Sequence, residues 1–320
     1  MPTETILITG ALGQIGTELS THLADVYGKQ NIILTDLRQP ENFETDLTFE
    51  SLNVMDAKKL GILVDKYKVT QIYHLAAVLS ASGEQDPLFA WQINMEGVLN
   101  VLGVGKEKNL NKIYYPSTIA VFGLDTPKTN TPQNTIMNPN TVYGISKLAG
   151  ERWAEYYFKK YNLDVRSLRY PGIISYKTPP GGGTTDYAID IFYHAAEEKK
   201  YECFLTENTQ LPMMYMPDAI RATLELMESP AENIKVRSAY NLSAISFSPK
   251  EVTKAIQTHI PNFKVSYKPD FRQAIADSWP MSIDSSVATR DWGWNFEYTL
   301  EKMTEDMLVN LKNKVDFDNI

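Results

Sequence analysis

Cysteine is nearly absent from this chain: Cys203 stands alone among 320 residues, which excludes an intramolecular disulfide. Histidine is scarce as well, and His22, His74, His194 and His259 are too widely separated to offer metal-ligand spacing, so no metal site is expected. No apolar run approaches the length of a membrane span, and no membrane partner is expected. An excess of positive charge is also missing. The net charge is -8 and the lysines and arginines are scattered, which argues against a nucleic-acid surface. Internal repeats and low-complexity tracts are lacking. The first strand-like run begins near Thr5, leaving no room for a leader, so a cytoplasmic protein is the expectation. The length suits one large or two modest domains.

What is present centres on Tyr143-Gly144-Ile145-Ser146-Lys147. A spacing of four on a helix puts the phenol and the ammonium on one face. An ordinary phenol, with a pKa near 10, is a poor base at neutral pH, and a neighbouring cation favours its ionised form. Tyr143 is therefore a candidate general base and Lys147 its activator, although an isolated Tyr-x-x-x-Lys is more often an ordinary surface helix.

The amino-terminal half supplies context. Thr5–Thr9 reads as a buried parallel strand and runs into Gly10-Ala-Leu-Gly13-Gln14-Ile15-Gly16, a turn in which glycines let the backbone approach a pyrophosphate at a helix amino terminus. A second strand, Asn31–Thr35, ends at Asp36, twenty residues beyond Gly16, where ribose hydroxyls are expected. That acid repels a 2'-phosphate and favours NAD over NADP, whereas Arg38 nearby is the feature that would favour NADP. Asp56 follows a polar connection and is placed to meet an adenine amine. Gln71–Ala77 is a further strand whose end, Leu75-Ala76-Ala77, is small enough to lie against a cofactor. A helix is expected from about Asp86 to Lys108. The strand Asn111–Thr118 stops at two hydroxyls, Ser117 and Thr118, twenty-five residues before Tyr143 in the case of Thr118, and both are candidates to meet Tyr143 over a substrate. Asn162–Tyr170 reads as one more central strand.

Taken together, Thr9-Gly10-x-x-Gly13-x-x-Gly16, Asp36, His74-Leu75-Ala76-Ala77, Asn94, Ser117-Thr118, Tyr143-Gly-x-Ser-Lys147 and Arg169-Tyr170-Pro171-Gly172 resemble the extended short-chain dehydrogenase/reductase family. The resemblance implies a Rossmann-like, doubly wound α/β parallel sheet with a smaller α/β substrate-binding domain. The NAD-binding part is expected over 1–175 plus about 216–243, the substrate-binding part over about 176–215 plus 244–312, and a tail over 313–320. It also implies cofactor contacts from Gly10, Gly13, Gln14, Ile15, Gly16, Asp36, Leu37, Asp56, Leu75, Ala76, Ala77, Asn94, Ser117, Tyr143, Lys147, Tyr170, Pro171 and Ile173.

Within that family the chain resembles the L-threonine 3-dehydrogenases, on Ser80, on Gly181–Ala188 with its run Gly183-Thr184-Thr185-Asp186, and on Trp279 in Asp277-Ser-Trp-Pro280. The resemblance implies oxidation of L-threonine at its hydroxyl-bearing carbon to 2-amino-3-ketobutyrate, with Tyr143 as base and Thr118 in place of the usual catalytic serine. Lys147 would also hold the nicotinamide ribose. Ser80, Thr118, Tyr143, Gly183, Thr184, Thr185, Asp186 and Trp279 would surround the substrate, with Asp186 suited to an ammonium. A homodimer through the helices beginning near Asp86 and Tyr143 is implied too. Two rivals fit the same motifs. One is a nucleotide-sugar epimerase or dehydratase, whose pyrophosphate would call on Arg221, Arg237 or Arg290; the other is a non-catalytic NAD-sensing protein.

Overall fold

The structure, a computed structural model, describes residues 4–39, 45–197 and 199–318. In chain order the first half comprises β1 (Ile6–Thr9), α1 (Gln14–Tyr27), β2 (Ile32–Asp36), β3 (Thr48–Ser51), α2 (Ala57–Tyr67), β4 (Gln71–His74), α3 (Ser80–Gly83), α4 (Pro87–Glu107), β5 (Lys112–Tyr114), β6 (Ser117–Thr118) and α5 (Val142–Tyr161). The second half continues with β7 (Val165–Arg166), β8 (Leu168–Tyr170), β9 (Gly172–Ile174), α6 (Tyr187–Ala196), β10 (Tyr201–Cys203), β11 (Leu211–Tyr215), α7 (Met216–Glu228) and β12 (Tyr240–Asn241). It closes with β13 (Ile245–Phe247), α8 (Pro249–Gln257), β14 (Val265–Tyr267), α9 (Arg272–Ser278), α10 (Ser286–Trp292) and α11 (Leu300–Asp318).

The central sheet is parallel throughout, in the order β3-β2-β1-β4-β5-β7. Its inner strands β1 and β2 are mostly apolar and buried because both faces are covered, whereas the edge strand β3 is partly exposed. Along β1, Ile6 and Ile8 join one buried layer and Leu7 the other, as strand alternation requires. The arrangement is the Rossmann-like α/β fold expected from the motifs.

Two expected strands are each divided. The pairs Ile113 with Val165 and Tyr114 with Arg166 keep the same offset as Ser117 with Arg169 and Thr118 with Tyr170, so the ladder resumes in register after a gap. Pro116 lies in that gap, but the amides directed at this neighbour are those of Ile113 and Tyr115, which donate to the carbonyls of Asp164 at 2.9 Å and Arg166 at 3.0 Å, so its missing N–H is not what interrupts the pairing. Asn162–Tyr170 is two short strands, β7 and β8, and β12 pairs with β8 on its other side.

Beyond β8 the chain builds a second layer. The strand order there is β13-β11-β9, β10 pairs with β14, and α6, α8 and α11 pack around a shared apolar cluster that includes Phe192, Met213, Phe247 and Met307. Two features bear on the expected boundaries. Ala288 and Trp294 pack with β1, α1 and α7 under the first sheet, and the indole of Trp294 donates to the carbonyl of Ser243 at 3.0 Å, so this stretch does not group with its neighbours in the second layer. Helix α11 also runs past Lys312 to Asp318, into the segment expected as a tail.

Candidate active site

The dinucleotide end of the site follows from the turn after β1. Gly10 sits at φ +66°, and a Cβ there would lie 2.6 Å from the amide nitrogen of Ala76. Only glycine permits that approach. Gly16 is held by the same logic, since a Cβ would lie 2.6 Å from the carbonyl oxygen of Ala11. The N-cap of α1 is Gly13, which offers no side-chain cap, so the first-turn amides remain available to an anion. Gln14 donates to the carbonyl of Ile173 at 3.4 Å, tying the start of α1 to β9, and Ile15 packs into the layer beneath.

A cavity of about 330 Å³ opens beside this turn, lined among others by Gly10, Gly13, Asp36, Leu37, Leu75, Ala76 and Ala77. Asp36 accepts the amide of Leu12 at 3.1 Å on one oxygen and its neighbour Leu37's at 2.7 Å on the other, leaving lone pairs for hydroxyl donors. Residues the motifs did not single out complete the wall: Leu52, Asn53, Val54, Val78, Phe89 and Ile93. Ile93 was detectable only as an apolar residue on a long helix. The glycine cradle, the uncapped helix and the terminal acid fit a dinucleotide carrying a free ribose diol, as NAD does.

Some expected cofactor residues have other duties. Asp56 is the N-cap of α2 and accepts the amide of Lys59 at 2.9 Å. Asn94 is buried, accepts the amide of Val78 at 2.8 Å, and donates to the Val78 carbonyl and to Ser146, both at 3.1 Å. It fixes the β4 exit loop to α5. The Tyr170 phenol is buried in the layer under the sheet, bonded to Tyr114 at 2.7 Å and to Thr223, and Pro171 is buried at the end of β8.

The reactive end is assembled by close approach of α5 to the turn that follows β6. A Cβ on Gly144 would collide with the carbonyl of Ala120, so glycine is what lets the helix start lie against this turn. Tyr143 and Thr118 both retain exposure, and the Thr118 hydroxyl is near enough to draw the phenol's pKa downward. Burial is the larger influence and pushes Tyr143 up to about 12. Lys147 is buried, donates to the carbonyl of Pro116 at 2.8 Å, and stands 5.8 Å from the centre of the Tyr143 ring. Burial pushes its ammonium down to about 7. Burial and the Thr118 hydroxyl are the influences on the phenol among the protein's own groups, and the expected influence of Lys147 is not among them.

Ser117 has a partner of its own. It is buried and donates to Glu151 at 2.6 Å, and Glu151 is also the partner of the buried Arg169. Of the two terminal hydroxyls, that of Thr118 is the one that influences the Tyr143 phenol.

The glycine-rich loop folds over this region. The hydroxyls of Ser80 and Thr184 lie 3.3 Å apart, and a Cβ on Gly172 would lie 2.8 Å from Thr185, so the loop rests on the start of β9. Asp186 accepts the amides of Gly181, Gly182 and Gly183, each at 2.8 Å on one oxygen, which makes it the clamp of the turn. Trp279 is buried in the apolar cluster against which Tyr143 packs, with its indole N–H unpartnered. Among the described residues no group of histidine, cysteine or carboxylate side chains is arranged to hold a metal, and no helix is long and apolar enough to cross a membrane.

The family model of the NAD dependent epimerase/dehydratase family matches residues 6–243. A relative from Staphylococcus saprophyticus subsp. saprophyticus, described as an uncharacterized epimerase/dehydratase, is 47% identical over 312 residues, 97% of each chain. The holo form of an L-threonine dehydrogenase from Cupriavidus necator superposes with a TM-score of 0.95 at 53% identity, covering 96% of this chain and 100% of that one. An L-threonine dehydrogenase from Clostridium difficile gives 0.95 at 48% identity, covering 98% of both. With the cradle, the terminal acid and the Tyr-Lys pair all in place, the chain belongs to the NAD-dependent epimerase/dehydratase family of extended short-chain dehydrogenase/reductases, and its cofactor is NAD.

Proposed function

We propose that the protein is an NAD-dependent L-threonine 3-dehydrogenase, converting L-threonine to 2-amino-3-ketobutyrate. The full-length likeness to threonine dehydrogenases carries this reading. NAD supplies the hydride acceptor and a positively charged ring. The chain's own residues supply the rest. Tyr143, as phenolate, takes the proton of the substrate hydroxyl, and Thr118 orients that oxygen. Lys147 holds the strand end through Pro116 and contributes positive charge when protonated. Ser80, Gly183, Thr184 and Thr185 enclose the amino-acid end and Trp279 walls the pocket. The carboxylate of Asp186 is drawn into the glycine turn, so its part in receiving an ammonium falls to the oxygen not engaged by the three amides.

The arginines that a nucleotide-sugar pyrophosphate would need are already committed. Arg221 pairs with Asp218 and Glu225, both at 2.8 Å; Arg237 pairs with Asp164 at 2.6 Å and lies over Phe158; Arg290 pairs with Asp291 at 2.8 Å. That supports a small substrate over a nucleotide sugar. We also propose a homodimer through the outer faces of α4 and α5, where Leu88, Trp91, Trp153 and Tyr156 are exposed.

The test is NADH formation from NAD and L-threonine by the purified protein, beside UDP-sugars assayed for epimerisation. NADH is expected with threonine, and Tyr143→Phe should lower turnover by about 10²–10⁴-fold while NAD still binds. Interconversion of a UDP-sugar without threonine oxidation would replace the substrate and keep the base.

A further inference from the structure

Tyr143, Lys147 and Glu151 follow one another at intervals of four on α5 and so share a face. The first two belong to the site already described. Glu151 is fully buried one turn deeper, and nothing in the proposed chemistry uses it.

Its surroundings are specific. One carboxylate oxygen accepts the hydroxyl of Ser117 at 2.6 Å and the Nε of Arg169 at 2.9 Å; the other accepts Nη2 of Arg169 at 2.8 Å and has Arg152 at 3.8 Å. The remaining guanidinium nitrogen of Arg169 donates to the carbonyl of Gln133 at 3.1 Å and to Oδ1 of Asn241 at 3.0 Å. Arg169 is thus held from three directions, and it holds Glu151 bidentately. Ser117 and Arg169 are also direct partners across the β6–β8 ladder, so backbone and side chains fix the same pair.

The consequence reaches one residue further. Strand β6 consists of Ser117 and Thr118 alone, so few backbone bonds of its own fix it. Two side chains of α5 add support: Lys147 grips the Pro116 carbonyl and Glu151 grips the Ser117 hydroxyl. The helix that carries the phenol therefore also sets the position of the strand that carries the hydroxyl facing it.

We propose that Ser117 is a positioning residue, which through Glu151 and Arg169 fixes the Thr118 hydroxyl against the Tyr143 phenol, and that its side chain is not a ligand of the dinucleotide. This rests on Tyr143 as the base and Thr118 as the orienting hydroxyl. A displacement of about 1 Å in such a group costs on the order of a hundredfold in rate.

The test compares Ser117→Ala, Thr118→Ala and the double variant in the full chain with NAD and L-threonine. Ser117→Ala removes one oxygen and should fold. Its kcat is expected to fall about tenfold or more, with the Kd for NAD unchanged, and it should cost nothing further in the Thr118→Ala background, because both changes disable one contact. A weakened NAD Kd would make Ser117 a cofactor ligand. Losses that multiply, or no loss at all, would overturn the proposal. A second readout needs no substrate: with ¹³Cζ-labelled tyrosine, the Tyr143 resonance, identified by its loss in Tyr143→Phe, should move the same way in Ser117→Ala as in Thr118→Ala. An unmoved resonance in Ser117→Ala would overturn the proposal even if threonine is not the substrate, and activity surviving in Tyr143→Phe would instead remove the base assignment.

Discussion

The ammonium of Lys147 lies 2.8 Å from the carbonyl oxygen of Pro116, and this bond, not one to the phenol, is what the lysine makes inside the protein. Tyr143, raised to about 12 by burial, therefore keeps its proton at neutral pH. Deprotonation activates the base, and below the pKa the phenolate fraction grows tenfold per pH unit. The expected outcome is kcat/KM for threonine oxidation that climbs from neutrality to pH 10 without a plateau. Initial rates over that range check it, and a profile flat above pH 7 would contradict it.

Lys147 makes the converse prediction for stability. Its pKa falls from 10.5 unfolded to about 7 folded, so between those values the unfolded chain binds more protons. The stability linked to this group is fully present above about pH 10.5 and is lost as pH falls through 7. Lys147→Met should therefore raise the Tm more at pH 6 than at pH 10, while lowering turnover. Thermal melts at the two pH values decide it.

Asp36 presents two oxygens at the mouth of the NAD cavity, steadied by the amides of Leu12 and Leu37. Asp36→Ala removes both the ribose acceptor and the charge that repels a 2'-phosphate. Binding of NADH should weaken by about tenfold or more and the preference over NADPH should narrow, as read by fluorescence titration of the two. An unchanged ratio would show that specificity resides elsewhere, with Arg38 the next residue to change.

On α5, Trp153 meets Tyr156 edge to face at 5.7 Å and lies beside Tyr157, an aromatic group left on the outer side of the helix. If this face joins a second copy, the protein sediments as a dimer and Trp153→Glu as a monomer, since a charge in an apolar contact is costly. Sedimentation velocity of both proteins tests this; a monomeric wild type would refute it.

What could be read in advance was what depends on local spacing. The glycine turn, the acid ending β2 and the Tyr-Lys pair are set by neighbours within one strand or one helical turn, and they occur where the residues placed them. The bond of Ser117 to Glu151 is not legible in the sequence, because the two lie 34 positions apart and only the packing of α5 on β6 brings them together. Asp186 shows the same limit, since its role depends on how the glycines before it curl. The division of Asn162–Tyr170 is hidden too, because it follows from where pairing with the neighbouring strand breaks, between Tyr114 and Ser117.

The covering of the first sheet bears on how the protein is made. One face of β1 and β2 is packed by α7, by Tyr240 and by Ala288 and Trp294, all encoded after the catalytic pair. A nascent chain that has just delivered Lys147 from the ribosome still carries Ile6, Ile8 and Leu34 without these partners. Synthesis must proceed through Trp294 before that face is sealed, so the early half is the stretch that chaperones would need to shield.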